Sequence, residues 1–232
     1  MTASRKSSLA AGVLYLITFV SIPTLALYAN VRTPEFLLGP GPDTPVLIGG
    51  LLEIIVALAC IGTAVALYPV LKRQNAGLAM GFVGMRTLEA ATIFSGVVTL
   101  LSVMTLRQSG VGAGGLATAQ GLIAQHDWTF TLGQGLLPGI NDVLLGILLL
   151  RSGLVPRALA LIGLIGGPIV IASVIAKYVG LYDELSVWSL FGALPVAVFE
   201  FSLGVYLLVR GFRPSRITAE MDAAPVAGRT RV

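Results

Sequence analysis

Six stretches of roughly twenty apolar residues, nearly free of charge, run through this chain at residues 8–29, 46–71, 78–106, 128–150, 158–178 and 187–209. A hydrocarbon layer about 30 Å thick is crossed by about 20 helical residues at 1.5 Å each. Each stretch therefore predicts a transmembrane helix, and the chain predicts an all-α, polytopic bundle of about six spans. Strands of a membrane barrel would alternate apolar and polar residues with period two, a pattern these stretches lack. The helical domain covers residues 1–212. Residues 213–232 mix Arg, Pro, Ala and acids without periodicity and are expected to form a disordered tail.

Composition agrees with this reading. Hydrophobic residues make up 56% and charged residues 11% of the chain, too few charges to coat a soluble domain of this size. The net charge of +4 and sequence pI near 9.5 do not signal nucleic-acid binding, because the basic residues are scattered one or two per helix end. One cysteine, Cys60, excludes a disulfide framework within the chain, and a single histidine, His126, argues against a His-rich metal or haem site. The first stretch follows Arg5 and Lys6, as in a signal peptide. Its length and the absence of a small-x-small cleavage site before Asn30 favour a retained helix, with Pro23 producing a kink.

Charge sorts the connections into two kinds. Arg5, Lys6, Lys72, Arg73, Arg151, Arg157, Arg210, Arg213 and Arg216 fall on one side, together with Arg229 and Arg231 of the tail. Arg32, Arg107 and Lys177 fall on the other. The excess of Lys and Arg in short cytoplasmic loops then places both termini in the cytoplasm. Tyr28, Trp128, Tyr178, Tyr182 and Trp188 lie near the outer boundary, where an aromatic belt is expected. Residues 107–127 read as an exposed loop carrying a short surface helix from Leu116 to Gln125, with a lid over an outward cavity as the alternative.

Charges inside the spans are the informative residues, since an acid at a helix centre costs about 2.5–3.5 kcal/mol on insertion scales. Glu53 lies in the second span, Arg86 and Glu89 in the third, Asp142 in the fourth and Glu200 in the sixth. Glu53, Asp142 and Glu200 share a pattern, each with a small residue three positions before and four after, on the same helix face: Gly50 and Ala57, Gly139 and Gly146, Ala197 and Gly204. Small residues at that spacing let helices approach closely, so these acids are expected on buried seams. Three parallel hairpins or simple recurrence of a packing motif both explain the repeat. Arg86 and Glu89, three apart, are placed to pair. One arginine still cannot neutralise four carboxylates, so some acids are expected to be neutral, hydrated or balanced by a bound cation. Asn141 and Gln134 are further polar groups inside the fourth span. Asp127 reads as an N-cap there, and His126 as a surface residue.

At these residues the chain resembles a known family. Residues 10–16 (AAGVLYL), Arg86-Thr87-Leu88-Glu89-Ala90, residues 155–160 (VPRALA) and residues 200–205 (EFSLGV), in this order and spacing, resemble the bacterial membrane family described as domain of unknown function 4386. The resemblance extends over residues 5 to 213. It implies a six-helix protein of the bacterial cytoplasmic membrane and brings neither an activity nor catalytic residues.

Three functions compete. The first is a small transporter, or a proton, cation or small-ligand site, built from Glu53, Arg86, Glu89, Asn141, Asp142 and Glu200. The second is a structural or partner-binding membrane subunit whose polar residues only fix packing. The third is an intramembrane enzyme acting on a lipid, which lacks a visible nucleophile–histidine pair or phosphate loop; the balance therefore leans away from an enzyme. No catalytic residue, metal site or cofactor is assigned. The expected partners are membrane lipids and a small ligand or cation, with no nucleic acid and no oligomeric state assigned.

Overall fold

The computed structural model describes residues 1–39, 42–110, 112–183 and 186–223, and the described residues are helical, with no strand among them. Among the described residues six helical stretches are long and apolar enough to cross a membrane: Ala3–Leu27, Thr44–Leu71, Ala76–Gln108, Gly114–Ser152, Arg157–Tyr178 and Val187–Val209. The chain is a multi-pass membrane protein. On Thr44–Leu71 the residues left open form an apolar stripe, with Leu51 and Leu58 each 57% and Val65 63% exposed, a face suited to lipid and costly in water.

The first span is interrupted. Helix α1 (Ala3–Ile17) tightens into a 3-10 turn at Thr18–Ser21 before a short α2 (Thr24–Leu27). The break precedes the kink expected at Pro23, because proline offers no N–H to the carbonyl four residues back and its ring collides with that carbonyl. Hydroxyls take over in the loosened segment. Thr18 donates to the Tyr15 carbonyl at 2.7 Å, and Thr24 to the Ser21 carbonyl at 2.7 Å. A short α3 (Pro34–Leu38), capped by Thr33, leads to α4 (Thr44–Leu71). Asn75 caps α5 (Ala76–Gln108), its side chain accepting from the Leu78 N–H at 2.9 Å.

Residues 107–127 depart most from expectation. They are helical from residue 112 on, as α6 (Gly112–Phe130), which runs through a π-helical segment at Thr131–Leu136 into α7 (Leu137–Ser152). Pro138 explains the π segment: it cannot bond the Gln134 carbonyl, and widening the turn beforehand avoids the clash. Val111 lies outside the described residues. Gly153, at φ 65°, closes α7 in the left-handed conformation, and α8 (Arg157–Tyr178) and α9 (Val187–Val209) complete the bundle.

Each span packs against its sequence neighbours, and α9 returns to α1, so the spans close a ring in the order α1, α4, α5, α7, α8, α9. The α7–α8 seam is tight. A side chain at Gly167 would come within 2.7 Å of Val143 and collide with the Gly139 carbonyl oxygen. Near the termini all six spans feed one apolar core, including Ala11, Leu67, Phe82, Leu148, Leu159 and Leu203.

The tail expectation needs correction. Residues Arg216–Ala223 form helix α10, with Thr218 and Met221 buried and Met221 joining that core. Asp222 accepts hydrogen bonds from the Ser4 N–H and hydroxyl, both 2.8 Å, at the start of α1. Those donors hold its carboxyl below the usual aspartate range, the Ser4 backbone N–H being the largest cause. Arg5 donates to the carbonyls of Leu207 and Leu208, at 3.1 and 2.8 Å, where the end of α9 leaves them free. The start of α1, the end of α9 and helix α10 therefore meet on one face. Residues 224–232 lie outside the described residues.

Candidate functional site

The only arginine within the central turns of α5 organises the buried polar groups. Arg86 keeps 1% of its side-chain surface, and its Nη1 donates to both oxygens of Glu89, at 3.1 and 3.0 Å, as the three-residue spacing allows. Its Nη2 pairs with Glu200 of α9. The rings of Tyr15 and Phe82 lie 5.2 and 5.8 Å from the guanidinium carbon, distances at which a cation is attracted to the ring face. Asn141 of α7 donates to Glu89 Oε2 at 2.7 Å, and Cys60 of α4 approaches Glu89 Oε1 at 3.5 Å. Helices α1, α4, α5, α7 and α9 each supply a side chain.

Asp142 stands apart in this network. It is fully buried, yet neither carboxylate oxygen has a hydrogen-bond partner; Arg86 Nε and Asn141 Oδ1 are also left without one. Asp142 makes no hydrogen bond to Glu200, Arg86 or Glu89, although it neighbours Asn141, which bonds Glu89. With Glu89, Glu200 and Asp142 all ionised, one arginine would leave the centre two negative charges in excess. A buried polar group without a partner costs about 1–3 kcal/mol, and a charged one more. A proton, water or a cation must meet that demand. Among the described residues no group of three His, Cys, Asp or Glu is arranged to hold a metal ion.

Glu53 does not join the centre. It is buried beside a separate set of partners, accepting from the Tyr28 hydroxyl at 3.2 Å and from Gln134 Nε2 at 3.0 Å, so each oxygen has a donor. Tyr28 is 6% exposed and does not belong to an aromatic belt. Its ring lies against Gly49, one turn before Glu53, where any side chain would displace it. Gln134 is presented from the π segment, a widened turn often found at functional positions.

His126, expected at the surface, is 6% exposed, packs edge-on against Tyr28 at 5.6 Å and lines the same cleft as Glu53. Its place follows from the helix that replaces the expected loop. His126, Phe130 and Gln134 recur every four residues, a stripe legible only once 112–130 is read as helical. Asp127 lies inside α6 and pairs with Arg32, so it is not the N-cap expected of it.

Two spaces flank these groups. A cavity of about 200 Å³ is lined by Cys60, Arg86, Glu89, Gln134 and Glu200, with apolar walls from Val56, Ile93, Val170 and Val196. On the face opposite the termini, a vestibule of about 570 Å³ is bounded by Tyr28, Arg32, His126, Asp127 and Asp183. Gln134 lines both the central cavity and the cleft holding Glu53 and His126. Of the six residues singled out in the sequence, Arg86, Glu89, Asn141 and Glu200 form one bonded network with Asp142 beside it, and Glu53 occupies a second site toward the vestibule. Sequence reasoning passed over Tyr15, Tyr28 and Cys60 as partners, since isolated aromatics and a lone thiol in apolar runs carry no pattern.

Comparison with curated proteins and with solved structures returns no match. A family model described as a domain of unknown function, DUF4386, matches residues 10–211, nearly the whole helical bundle and every residue of both sites. The chain belongs to the DUF4386 family.

Proposed function

We propose that this protein is a small transporter of the bacterial inner membrane that passes a proton or small cation between the vestibule and the Arg86 centre. The observation that carries the reading is Asp142, a wholly buried carboxyl without a hydrogen-bond donor, beside two further carboxylates that share one arginine. In a bilayer such a group is stable only as the neutral acid or with a cation or water at hand. Asp142 holds the proton at rest, and Glu89 and Glu200 stay paired with Arg86.

The excess of Lys and Arg on the terminus-bearing face orients that face to the cytoplasm. Consistently, two of the few cations on the opposite face are matched by acids, Arg32 by Asp127 and Arg107 by Asp43. The vestibule then faces outward, and the route inward runs past His126 and Glu53 to Gln134 and the central cavity. Beyond the centre the apolar core blocks it, so transport requires that core to part. A purely structural role accounts for Glu53, whose oxygens are both satisfied, and leaves Asp142 unexplained.

Reconstitution into liposomes with an internal pH dye tests the proposal. Asp142→Asn abolishes proton or cation flux, and Glu89→Gln and Glu200→Gln reduce it. Wild-type flux in Glu53→Gln, Glu89→Gln, Asp142→Asn and Glu200→Gln alike would remove the assigned roles.

A further inference from the structure

The central cavity has a side door. Its lining includes Ile22, 66% exposed, and Ala193, also on the outer surface, six residues and about 9 Å below the first residue of α9. That depth is within the hydrocarbon layer, and both residues belong to candidate spans. At the 3-10 turn Thr18–Ser21 the first span meets α9 through the edge-on ring pair Phe19–Phe201, centroids 5.4 Å apart, while α1 below it packs closely along α9. The exposed Ile22 and Ala193 place the mouth between these segments, toward lipid.

The interior has one chemical character at each end. At the mouth the walls are Phe19 and Ile22 with Thr18 and Ser21, whose hydroxyls are spent on the Tyr15 and Thr18 carbonyls; Val170 and Val196 add apolar wall, and Glu89 and Glu200 with Arg86 between them form the charged part. Two carboxylates and one guanidinium leave one negative charge in excess. Glu200 makes its hydrogen bond to Arg86 through Oε1 alone and keeps 12% of its side-chain surface open, so Oε2 is available to a donor. The buried Arg86 Nε, also at the cavity, lacks an acceptor. A site with largely apolar walls, short of one positive charge at its base and open toward lipid, selects a small apolar molecule carrying an amine that is held as the ammonium. Cavities of about 150 Å³ hold benzene, so about 200 Å³ accommodates a single ring with a short aminomethyl arm.

We infer that the cavity binds small hydrophobic amines, which enter from the bilayer between Thr18–Ile22 and α9 and place their ammonium on Glu200. This rests on the transporter reading, in which the Arg86 centre is the cation site, and adds a class of organic cation that reaches that centre from the bilayer.

Benzylamine titrated by calorimetry into the full-length protein in uncharged maltoside micelles, with protein-free micelles subtracted, tests the inference. Saturable binding of one amine per chain is expected, with benzyl alcohol failing to compete. Glu200→Gln weakens the affinity at least tenfold. Ala193→Trp, which fills the mouth without touching a charge, does the same and stands in should Glu200→Gln fold poorly. Equal binding of benzyl alcohol, or undiminished binding in both variants, overturns the inference. So does displacement of benzylamine by one equivalent of phosphatidylethanolamine, which would assign the site to a lipid headgroup. Flux that depends on Asp142 without any amine binding leaves the transporter reading standing and removes this one alone.

Discussion

The half of the bundle near the termini and the half away from them obey different rules. Near the termini, all six spans meet in a dry core of Leu, Val, Ala and Phe, sealed further by α10 and by Arg5 on the end of α9. In the other half, apolar contacts divide into smaller clusters, around Tyr28 and Phe36 on one side and Cys60 and Ile93 on the other. Between them lie Glu53, His126, Gln134 and two spaces large enough for small molecules. Backbone regularity follows the same division. The 3-10 turn of the first span and the π segment of the fourth both fall in the polar half. One half has the makings of a seal, closed in this structure, and the other of a binding region, with Arg86 at the boundary.

Four substitutions break or sharpen that contrast. Arg86→Leu leaves Glu89 and Glu200 buried without their cation, and is expected to cost about 3–5 kcal/mol. It should appear as a collapse in folded yield and thermal stability, and replacing both glutamates by glutamine in the same protein should restore much of the loss. Leu148→Ala opens a cavity in the seal at a cost of about 2–5 kcal/mol. It lowers thermal stability while leaving amine binding at the central cavity unchanged, and a loss of binding would show that the two halves are not separable.

Glu53→Gln keeps one acceptor for its neighbours, and buried hydrogen bonds between transmembrane helices average about 0.6 kcal/mol. Its effect on stability is small, and its signature is slower flux from the vestibule side. Asp222→Asn has the least effect, about 0.3 kcal/mol from the charge at the start of α1, because the carboxyl is solvent-exposed and screened, and less in salt. Because Ser4 lowers the folded-state value of this carboxyl, its contribution is complete above the ordinary aspartate value of about 4 and is lost as pH falls through the lower folded one. Hydrogen-exchange protection of α10, corrected for the intrinsic exchange rate at each pH, should therefore fall only in strong acid, and that acid-dependent fall should be absent in the variant.

The span count and the burial of the acids were legible from local signals. Uninterrupted apolar length marks a span, and small residues beside Asp142 mark a seam, here closed by Gly139 against Gly167. The split between the two sites was not legible. Glu53 and Asp142 carry the same flanking pattern, and what separates them is tertiary: Tyr28 and Gln134 reach Glu53, and nothing reaches Asp142. The helix over 112–130 was hidden by five glycines in 110–121, which weaken helical propensity in water and are tolerated in membranes, where backbone groups must bond to one another. Its misreading carried His126 to the surface. Met221 and Asp222 looked like tail because an eight-residue helix is unstable alone and forms here by docking.

Infrared spectroscopy of the carboxyl region tests the central claim most directly, since neutral acids and carboxylates absorb separately. At neutral pH the purified protein should show a neutral-acid band that disappears in Asp142→Asn and persists in Glu53→Gln. A wild-type spectrum holding carboxylates alone, or a neutral-acid band indifferent to Asp142, would contradict the account.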